Sequence, residues 1–350
     1  MYLSGQNENS FQRLSITKKL IKFAYDTGLI RLGRQLWANS LTVLNYHRID
    51  EPENNPDNFQ PNISATPADF DRQMFYLSRW FTVVSLQDVT NWILKNKPLP
   101  RYAALITFDD GYLDNYTNAF PILKKYNFPA VIYLTSGHID SNRSFYWDLA
   151  AYCFAHTKKD RILFPSGVER GWASLNEKNQ VLKQWIESMK ILEEDQKQIW
   201  ISQIPKQLNV VIPENYFKNL MMNWDQVREM SAANIDFGAH TVTHPILTRI
   251  PPEQVRIEIS DSKKRIEQEL DKPVTSLAYP NGMMADFNNT TINLAKETGF
   301  TTAFTLLNGP TTSNEVKKMP YTIRRSFISH KHNMPQFSTL ISPLNRLRPS

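Results

Sequence analysis

The chain has 350 residues, of which 41% are hydrophobic and 12% are aromatic, so it is long and apolar enough to bury a large core. Its single cysteine, Cys153, excludes an intramolecular disulfide and a cysteine-based zinc site, and we expect it to pack in the core. The formal net charge is +6, with six lysines and arginines against two acids in residues 1–40 and seven against none in residues 317–350.

The basic ends predict an N-terminal helical extension over residues 1–40 and a basic tail over 336–350. Residues 16–37 mix apolar and basic side chains, which is typical of a basic amphipathic helix that packs on the domain or contacts an anionic membrane. No nucleic-acid-binding motif accompanies these ends, so no nucleic acid is expected as a partner. Because no export signal or transmembrane run is recognisable, we expect a soluble, cytoplasmic protein.

The first predicted elements alternate between strand and helix. The run from Leu41 to Tyr46 predicts a strand that ends at His47. Thr66 is followed by proline and, three residues on, by an acid, which predicts the start of a helix. The segment 81–84 predicts the next strand.

A pair of carboxylates ends the following strand. The apolar run from Ala103 to Phe108 stops at Asp109 and Asp110, before a glycine that can adopt positive φ. A helical stretch follows at residues 118–126, so the segment predicts a βα unit, whose loops at the carboxyl end of the strand usually hold the functional site. A simple turn is the alternative interpretation of this motif.

A long segment then interrupts the alternation. After a predicted strand at residues 130–134, residues 141–222 predict a helical insertion, with apolar side chains at helical spacing. Its Trp172, Trp185 and Trp200 are candidates for a carbohydrate platform, but packing is the interpretation that we favour.

The alternation resumes with a second polar motif. Asn223 predicts a helix N-cap, and the strand at 235–239 ends at His240, with His244 one turn later. One carboxylate and two imidazoles leave positions open for water and substrate, which is typical of a catalytic metal centre. A helix from Pro252 to Asp271 and a strand at 275–279 follow, and the strand ends at a Pro-Asn-Gly turn. The last elements are a helix at 291–298 and strands at 301–305 and near 321–323.

Three motifs in this order resemble the polysaccharide deacetylase family, carbohydrate esterase family 4. The motifs are Thr107-Phe108-Asp109-Asp110-Gly111-Tyr112, Gly238-Ala239-His240-Thr241-Val242-Thr243-His244 and Tyr279-Pro280-Asn281-Gly282. The resemblance covers roughly residues 41 to 330 and implies an α/β fold, a distorted (β/α)7 barrel, in a domain that we place at 41–335. It also implies metal-dependent removal of acetyl groups from N-acetylated sugars.

The resemblance assigns roles by position. Asp109 matches the general base, and Asp110, His240 and His244 match the ligands of a divalent metal ion. Zinc is favoured as the metal, with cobalt, nickel or iron as alternatives. The backbone N–H of Asn281 is expected to share the negative oxygen of the tetrahedral intermediate with the metal.

Two departures from the family pattern concern the general acid and the cation that holds the base. Many members take the acid from a Leu-x-His motif, which is absent here. His330 comes nearest to it, but His47 resembles the strand-end histidine of biofilm-polysaccharide deacetylases, whose motif order is permuted, and we favour His47. Ala278 occupies the place of the family's base-orienting arginine, so we expect Arg324 or Arg325 to hold the Asp109 side chain ionised.

Tyr279 and Pro280 are expected, with the two arginines Arg324 and Arg325, to contact the substrate. That substrate is expected to be an N-acetylated surface polysaccharide or exopolysaccharide, or a precursor of one. Hydrolysis of another C–N bond on the same fold, and glycan binding without catalysis, remain as alternative functions.

Overall fold

The computed structural model describes residues 19, 21–30, 35, 38–53 and 57–347. The strands in this part of the chain are β1 (Leu41–Tyr46), β2 (Arg48–Ile49), β3 (Ile63–Ala65), β4 (Thr82–Val83), β5 (Ala103–Asp110), β6 (Ala130–Leu134), β7 (Arg161–Leu163), β8 (Glu169–Gly171), β9 (Ile235–Ala239), β10 (Ser276–Ala278), β11 (Thr302–Phe304) and β12 (Ser326–Phe327). The helices are α1 (Pro67–Trp80), α2 (Leu86–Lys95), α3 (Phe120–Tyr126), α4 (Tyr146–His156), α5 (Leu175–Met189), α6 (Glu194–Leu208), α7 (Trp224–Ala232), α8 (Pro252–Leu270), α9 (Asn289–Glu297), α10 (Ser313–Lys318) and α11 (Met334–Leu340).

Seven parallel strands form the central sheet, in the order β11, β10, β9, β6, β5, β1 and β12, while β4 adds to β5. Because the strands are parallel, their carboxyl ends meet at one edge, where loops hold functional side chains. Asp110 is in register with Leu134, and Leu134 with Ala239. The residue after Ala239, which is His240, therefore lies beside Asp110 at this edge.

The segment 323–327 closes the sheet into a barrel. Ile323 forms a parallel bridge with Phe304 of β11, and Ser326 of β12 pairs with Leu44 of β1. This arrangement confirms the predicted distorted (β/α)7 barrel. The strand predicted near 321–323 was misplaced, because the residues that pair with β1 are Ser326 and Phe327, too short a run to give a strand signal. Ser326 is polar but fully buried, and its hydroxyl donates to the Leu340 carbonyl over 3.0 Å.

The helices cover the outside of the sheet and mostly begin where the sequence predicts. The Thr66 side chain accepts from the Asp69 N–H at the start of α1, and Asn223 caps α7 through the Gln226 N–H. Residues 115–119 form a π-helical turn before α3, so the helical stretch predicted at 118–126 starts earlier. Helices α2, α10 and α11 were not predicted.

The insertion at 141–222 is not entirely helical. Between α4 and α5, the strands β7 and β8 form a two-stranded antiparallel hairpin. Trp185 is fully buried, and Trp172 and Trp200 pack against the core, so these side chains serve packing rather than a carbohydrate platform. Cys153 is buried in α4, as expected.

The two ends of the chain differ from each other. Residues 21–26 are helical, but most of the predicted 1–40 extension lies outside the described residues. The segment 336–347 is not a solvated tail, because α11 buries Phe337 with an edge-on contact to Tyr76 at 6.0 Å between ring centroids. Among the helices that the structure describes, none is both long and apolar enough to cross a membrane.

Gly238 in β9 is a position where a side chain has no room. An added Cβ would lie 2.3 Å from Cε1 of Tyr133 and 2.8 Å from Oγ of Ser276, and both neighbours are fully buried. We expect Gly238→Ala to lower the free energy of unfolding by about 2 kcal/mol or more, as overpacking does. Urea denaturation measures the change, with Gly171→Ala in the exposed hairpin as the control. Equal stability of Gly238→Ala and wild type would contradict this packing.

Candidate active site

A cavity of about 320 Å³ opens at the carboxyl edge of the barrel. It is lined by three groups of side chains. The polar residues are His47, Asn62, Asp109, Asp110, His240, His244 and Asn281; the charged residues of the insertion are Lys183, Glu187 and Lys190; and the apolar or aromatic residues are Phe59, Pro61, Tyr146, Trp147, Ile186, Met283, Leu306 and Phe327. The two sequence motifs thus meet in one concave site of the size that binds small ligands.

Asp110, His240 and His244 form a group that can hold a metal ion. Oδ1 of Asp110 lies 3.7 Å from Nε2 of His240 and 3.6 Å from Nε2 of His244. The ligand atoms of the three side chains all lie within 4.8 Å of one another, and all three side chains are buried. Both carboxylate oxygens of Asp110 are buried without a hydrogen-bond partner. A buried carboxylate with no partner is costly, and a cation held between these residues would remove that cost.

Neighbouring groups orient the two imidazoles. Nδ1 of His240 lies 2.7 Å from the Ala278 carbonyl, so a proton on Nδ1 is donated there and Nε2 keeps its lone pair for a metal. The loop between the histidines is held by Glu258 of α8, whose carboxylate accepts from the backbone N–H groups of Val242 and Thr243 at 2.8 and 2.9 Å.

The backbone is strained at this edge of the barrel. Four non-glycine residues there have positive φ: Asp110 (77°), Thr241 (68°), His244 (65°) and Asn281 (58°). Such angles are costly for side chains with a Cβ, above all for a β-branched threonine, and they cluster at functional sites. The strain therefore supports a function for this edge.

Burial sets the protonation of the candidate ligands. Burial, and then the charge of Asp109, raise the pKa of Asp110 well above its ordinary value. Burial, and then the charge of His240, lower the pKa of His244 well below its ordinary value, and burial also lowers the pKa of His240. The imidazoles are therefore neutral and able to bind a metal, and a cation would favour the ionised form of Asp110.

Asp109 is held by three hydrogen-bond donors. Arg325 donates from Nη1 to Oδ1 over 2.6 Å and from Nη2 to Oδ2 over 2.8 Å, and Asn45 donates to Oδ2 over 2.9 Å. Burial alone would raise the pKa of Asp109, but the Arg325 guanidinium outweighs it, with help from His240 and His47, and lowers the pKa to about 2. Asp109 is therefore ionised at any ordinary pH.

His47 and His330, the two candidate acids, have different surroundings. His47 is half-buried in the cavity lining, and its Nδ1 has no hydrogen-bond partner. Burial lowers the pKa of His47 to about 4. The charge of Asp109 opposes this shift, and the charges of Arg325 and His240 add to it. His330 lies outside this lining, with Nδ1 2.9 Å from the Ile63 carbonyl.

Four other predicted residues lie outside the cavity lining. Tyr279 is buried and stacks on Phe287 at 4.8 Å between ring centroids, and Pro280 beside it is also buried. Arg324 donates to the Asn308 carbonyl over 3.2 Å, while the fully buried Arg325 binds Asp109. Direct substrate contact, as predicted for Tyr279, Pro280, Arg324 and Arg325, is therefore not supported. Asn281 does line the cavity.

Sequence reasoning missed several residues of the site. Asn45 is a buried polar side chain on an otherwise apolar face of β1, and Glu258 is a buried charged side chain on the buried face of α8. A buried polar side chain needs a partner, and this pattern was the signal available in the sequence. Trp147, which lines the cavity, gave no such signal; its indole N–H donates to the Tyr112 hydroxyl, which donates to Asp148.

Comparisons with known proteins agree with the motifs. Residues 96–303 match the family model described as polysaccharide deacetylase. The Bacillus subtilis protein YxkH, named for polysaccharide deacetylases, is 21% identical over 261 residues, which cover 74% of this chain and 62% of that protein. A poly-beta-1,6-N-acetyl-D-glucosamine N-deacetylase of Staphylococcus epidermidis is 33% identical over 112 residues, which cover 29% of this chain and 38% of that protein.

The fold also has counterparts among solved structures. The Streptococcus pyogenes deacetylase PplD in complex with acetate superposes with a TM-score of 0.58 at 19% identity, covering 87% of this chain and 99% of that chain. At this identity the likeness shows the fold alone. The chain spans less than two thirds of the length of the two curated relatives described above.

Proposed function

The chain belongs to the polysaccharide deacetylase family, and from that premise we propose that it is a metal-dependent hydrolase of acetyl groups on N-acetylated sugars. The substrate is a surface polysaccharide or exopolysaccharide, or a precursor of one. The observation that carries the proposal is the orphaned Asp110 carboxylate beside two oriented imidazoles, with the ionised Asp109 in the same cavity.

Asp110, His240 and His244 would hold the divalent ion. When bound, such an ion lowers the pKa of water and polarises a carbonyl oxygen. Zinc is favoured because catalytic zinc sites typically have three protein ligands, from histidine and carboxylate side chains, and leave the fourth position for water or substrate.

Asp109 is the base that takes the proton of the attacking water. A carboxylate oxygen offers about two acceptor positions. Oδ2 of Asp109 already accepts from both Arg325 and Asn45, whereas Oδ1 accepts only from Arg325 among the described residues. Oδ1 is therefore the atom with a free position, and it receives the proton.

Asn281 and His47 complete the reaction. Asn281 is in a turn at the cavity wall, where its backbone N–H can donate to the oxygen that becomes negative in the transition state. His47 supplies the proton that the amine needs in order to leave. The place of His47 in the same cavity as Asp109 supports that role. Its pKa, lowered to about 4, leaves the imidazole neutral at ordinary pH, so this role requires the pKa to rise when the substrate is bound.

The glycan class and the cellular site follow by analogy. The named activity of the Staphylococcus epidermidis relative supports an exopolysaccharide as the substrate class. We keep a cytoplasmic location as part of the proposal, with peripheral membrane contact through the basic ends as a variant of it.

The roles of the two histidines are separable by substitution. We expect His47→Ala to lower the rate of acetate release about 10²- to 10⁴-fold, which is the usual contribution of a general acid. His330→Ala is the matched control and should stay within a fewfold of wild type, because His330 lies outside the cavity lining. Initial rates with the metal-loaded proteins decide the matter, and a strong loss only in His330→Ala would reverse the assignment.

The proposed function is tested by metal content and acetate release together. The purified protein should bind about one equivalent of zinc, cobalt or nickel, and Asp110→Ala and His240→Ala should each lose it. Elemental analysis measures the metal, and an acetate assay with a panel of N-acetylated and O-acetylated glycans measures the reaction. A wild-type protein that binds no metal, or whose metal content is unchanged in Asp110→Ala, would rule out the proposed chemistry.

A further inference from the structure

The insertion contributes one charged wall to the cavity. Lys183 and Glu187 lie one turn apart in the second half of α5, and Lys190 directly follows the helix. All three line the cavity with the apolar Ile186. This wall, which we call the lysine wall, faces the same space as Asp109 and the candidate metal ligands. A charged wall in a reaction cavity affects which substrates bind there.

The charges of the lysine wall do not cancel. Nζ of Lys190 lies 2.9 Å from Oε1 of Glu187, so these two side chains form an ion pair. Lys183 is exposed at the cavity and makes no hydrogen bond or ion pair with any residue that the structure describes. One ammonium group is therefore left without a counter-charge.

The remaining lining offers nothing to neutralise Lys183. The other carboxylates of the lining are Asp109, which Arg325 already pairs, and Asp110, which the metal ion would pair. The other contributors are neutral or aromatic, including Phe59, Pro61 and Phe327. Asp286, just outside the lining, acts on Lys190 and on Tyr146 but not on Lys183. With the metal bound, the lining residues therefore carry an excess of positive charge, centred on Lys183.

From this excess we infer that the substrate is an anionic glycan, with a carboxylate or phosphate near the N-acetylated sugar, and that Lys183 and Lys190 bind this group. The inference rests on the function proposed above and narrows its substrate class. Lys183 is free to bind the anion directly, whereas Lys190 must share its ammonium group with Glu187. Glu187 consequently opposes anion binding, so it limits the affinity.

The test compares three ligands with the metal-loaded protein. Heparosan hexasaccharide alternates N-acetylglucosamine with glucuronate, UDP-N-acetylglucosamine has phosphates, and chitohexaose is neutral. Calorimetry gives the dissociation constants, and an acetate assay runs in parallel. We expect at least one anionic ligand to bind more tightly than chitohexaose, with an affinity that falls as salt is added. The anionic ligand that binds identifies the source of the anion as carboxylate or phosphate.

Substitutions in the lysine wall should act in opposite directions. We expect Lys183→Gln to weaken binding of the anionic ligand about two- to fivefold, as for one partly exposed ion pair. Lys190→Gln should weaken it further because Glu187 is left unpaired, whereas Glu187→Gln should strengthen it. Lys206→Gln, an exposed lysine of α6 outside the cavity lining, is the matched control and should change neither binding nor acetate release.

The outcomes separate this inference from the proposed function. Equal or tighter binding of chitohexaose, absence of binding by both anionic ligands, or a loss of affinity in Glu187→Gln would overturn the inference. None of these results concerns the chemistry at Asp109. Anionic ligands that bind with the expected order among the variants, but lose no acetate with any metal, would support the lysine wall and count against the deacetylase reaction.

Discussion

Asp109→Asn is expected to keep its metal ion and to lose acetate release by about 10²- to 10⁴-fold, the range in which a positioned base contributes. The amide cannot take the proton of the attacking water, whereas Asp110, His240 and His244 are untouched. The measurement pairs elemental analysis with initial rates at saturating substrate.

The control for this prediction is Asp236→Asn, because Asp236 lies in β9, two strands away from β5 in the sheet, and outside the cavity lining. Its rate should stay close to that of wild type. Urea denaturation should accompany both variants, since Asp109→Asn leaves the buried Arg325 without its charged partner. Turnover at the wild-type rate in a folded Asp109→Asn would exclude Asp109 as the base.

Arg325→Gln is expected to lower the free energy of unfolding by about 3–5 kcal/mol, because it leaves the buried Asp109 carboxylate uncompensated. The same change raises the pKa of Asp109, since Arg325 is the main group that lowers it. Asp109 in wild type is ionised down to about pH 2, so activity in the variant should fall at a higher pH than in wild type as the solution is acidified.

Two further variants make this prediction specific. Arg324→Gln is the matched control. Arg324 is only half-buried, and its guanidinium donates to a backbone carbonyl, so we expect the free energy of unfolding to fall by less than about 1 kcal/mol. The double variant Asp109→Asn with Arg325→Gln removes both charges and should be more stable than Arg325→Gln alone. If the double variant loses the full sum of the two single losses, the ion pair does not contribute as we describe.

The sign of the pH effect on stability follows from the same pair. The pKa of Asp109 in the folded protein is about 2, below the ordinary 3.8. Ionised Asp109 therefore stabilises the folded state fully above pH 3.8, and this contribution is lost as pH falls through 2. In Arg325→Gln the contribution should disappear or change sign.

Much of the barrel could be predicted because its central strands are buried on both faces. Such strands are mostly apolar runs, as at Leu41–Tyr46 and Ala130–Leu134, and the structure has them at the predicted bounds. The two carboxylates were expected at the carboxyl end of a strand, and they are the last two residues of β5. They pair with β6 there, which fixes their positions more firmly than a loop would.

What the sequence did not reveal depends on contacts between distant segments. Arg324 and Arg325 are adjacent and chemically identical, and only the closure of the barrel directs Arg325 onto Asp109. Glu258 lies in the middle of a charged helix, and its partners are two backbone N–H groups and a threonine hydroxyl of a distant loop. Periodicity predicts that a side chain is buried, but it does not predict which partner the side chain meets.

The closing segment 323–327 has a consequence for the timing of activity. Asp109 is at the end of the second barrel strand in sequence order, apart from the short β4, whereas Arg325 comes directly before β12, in the segment that completes the ring. During synthesis from the N-terminus, a chain that has reached only residue 322 contains every candidate metal ligand but lacks the guanidinium that keeps the base charged. If Asp109 is the base as proposed, hydrolytic competence would be acquired last, after the ring is complete, and an unfinished or open barrel would be inactive even with metal bound.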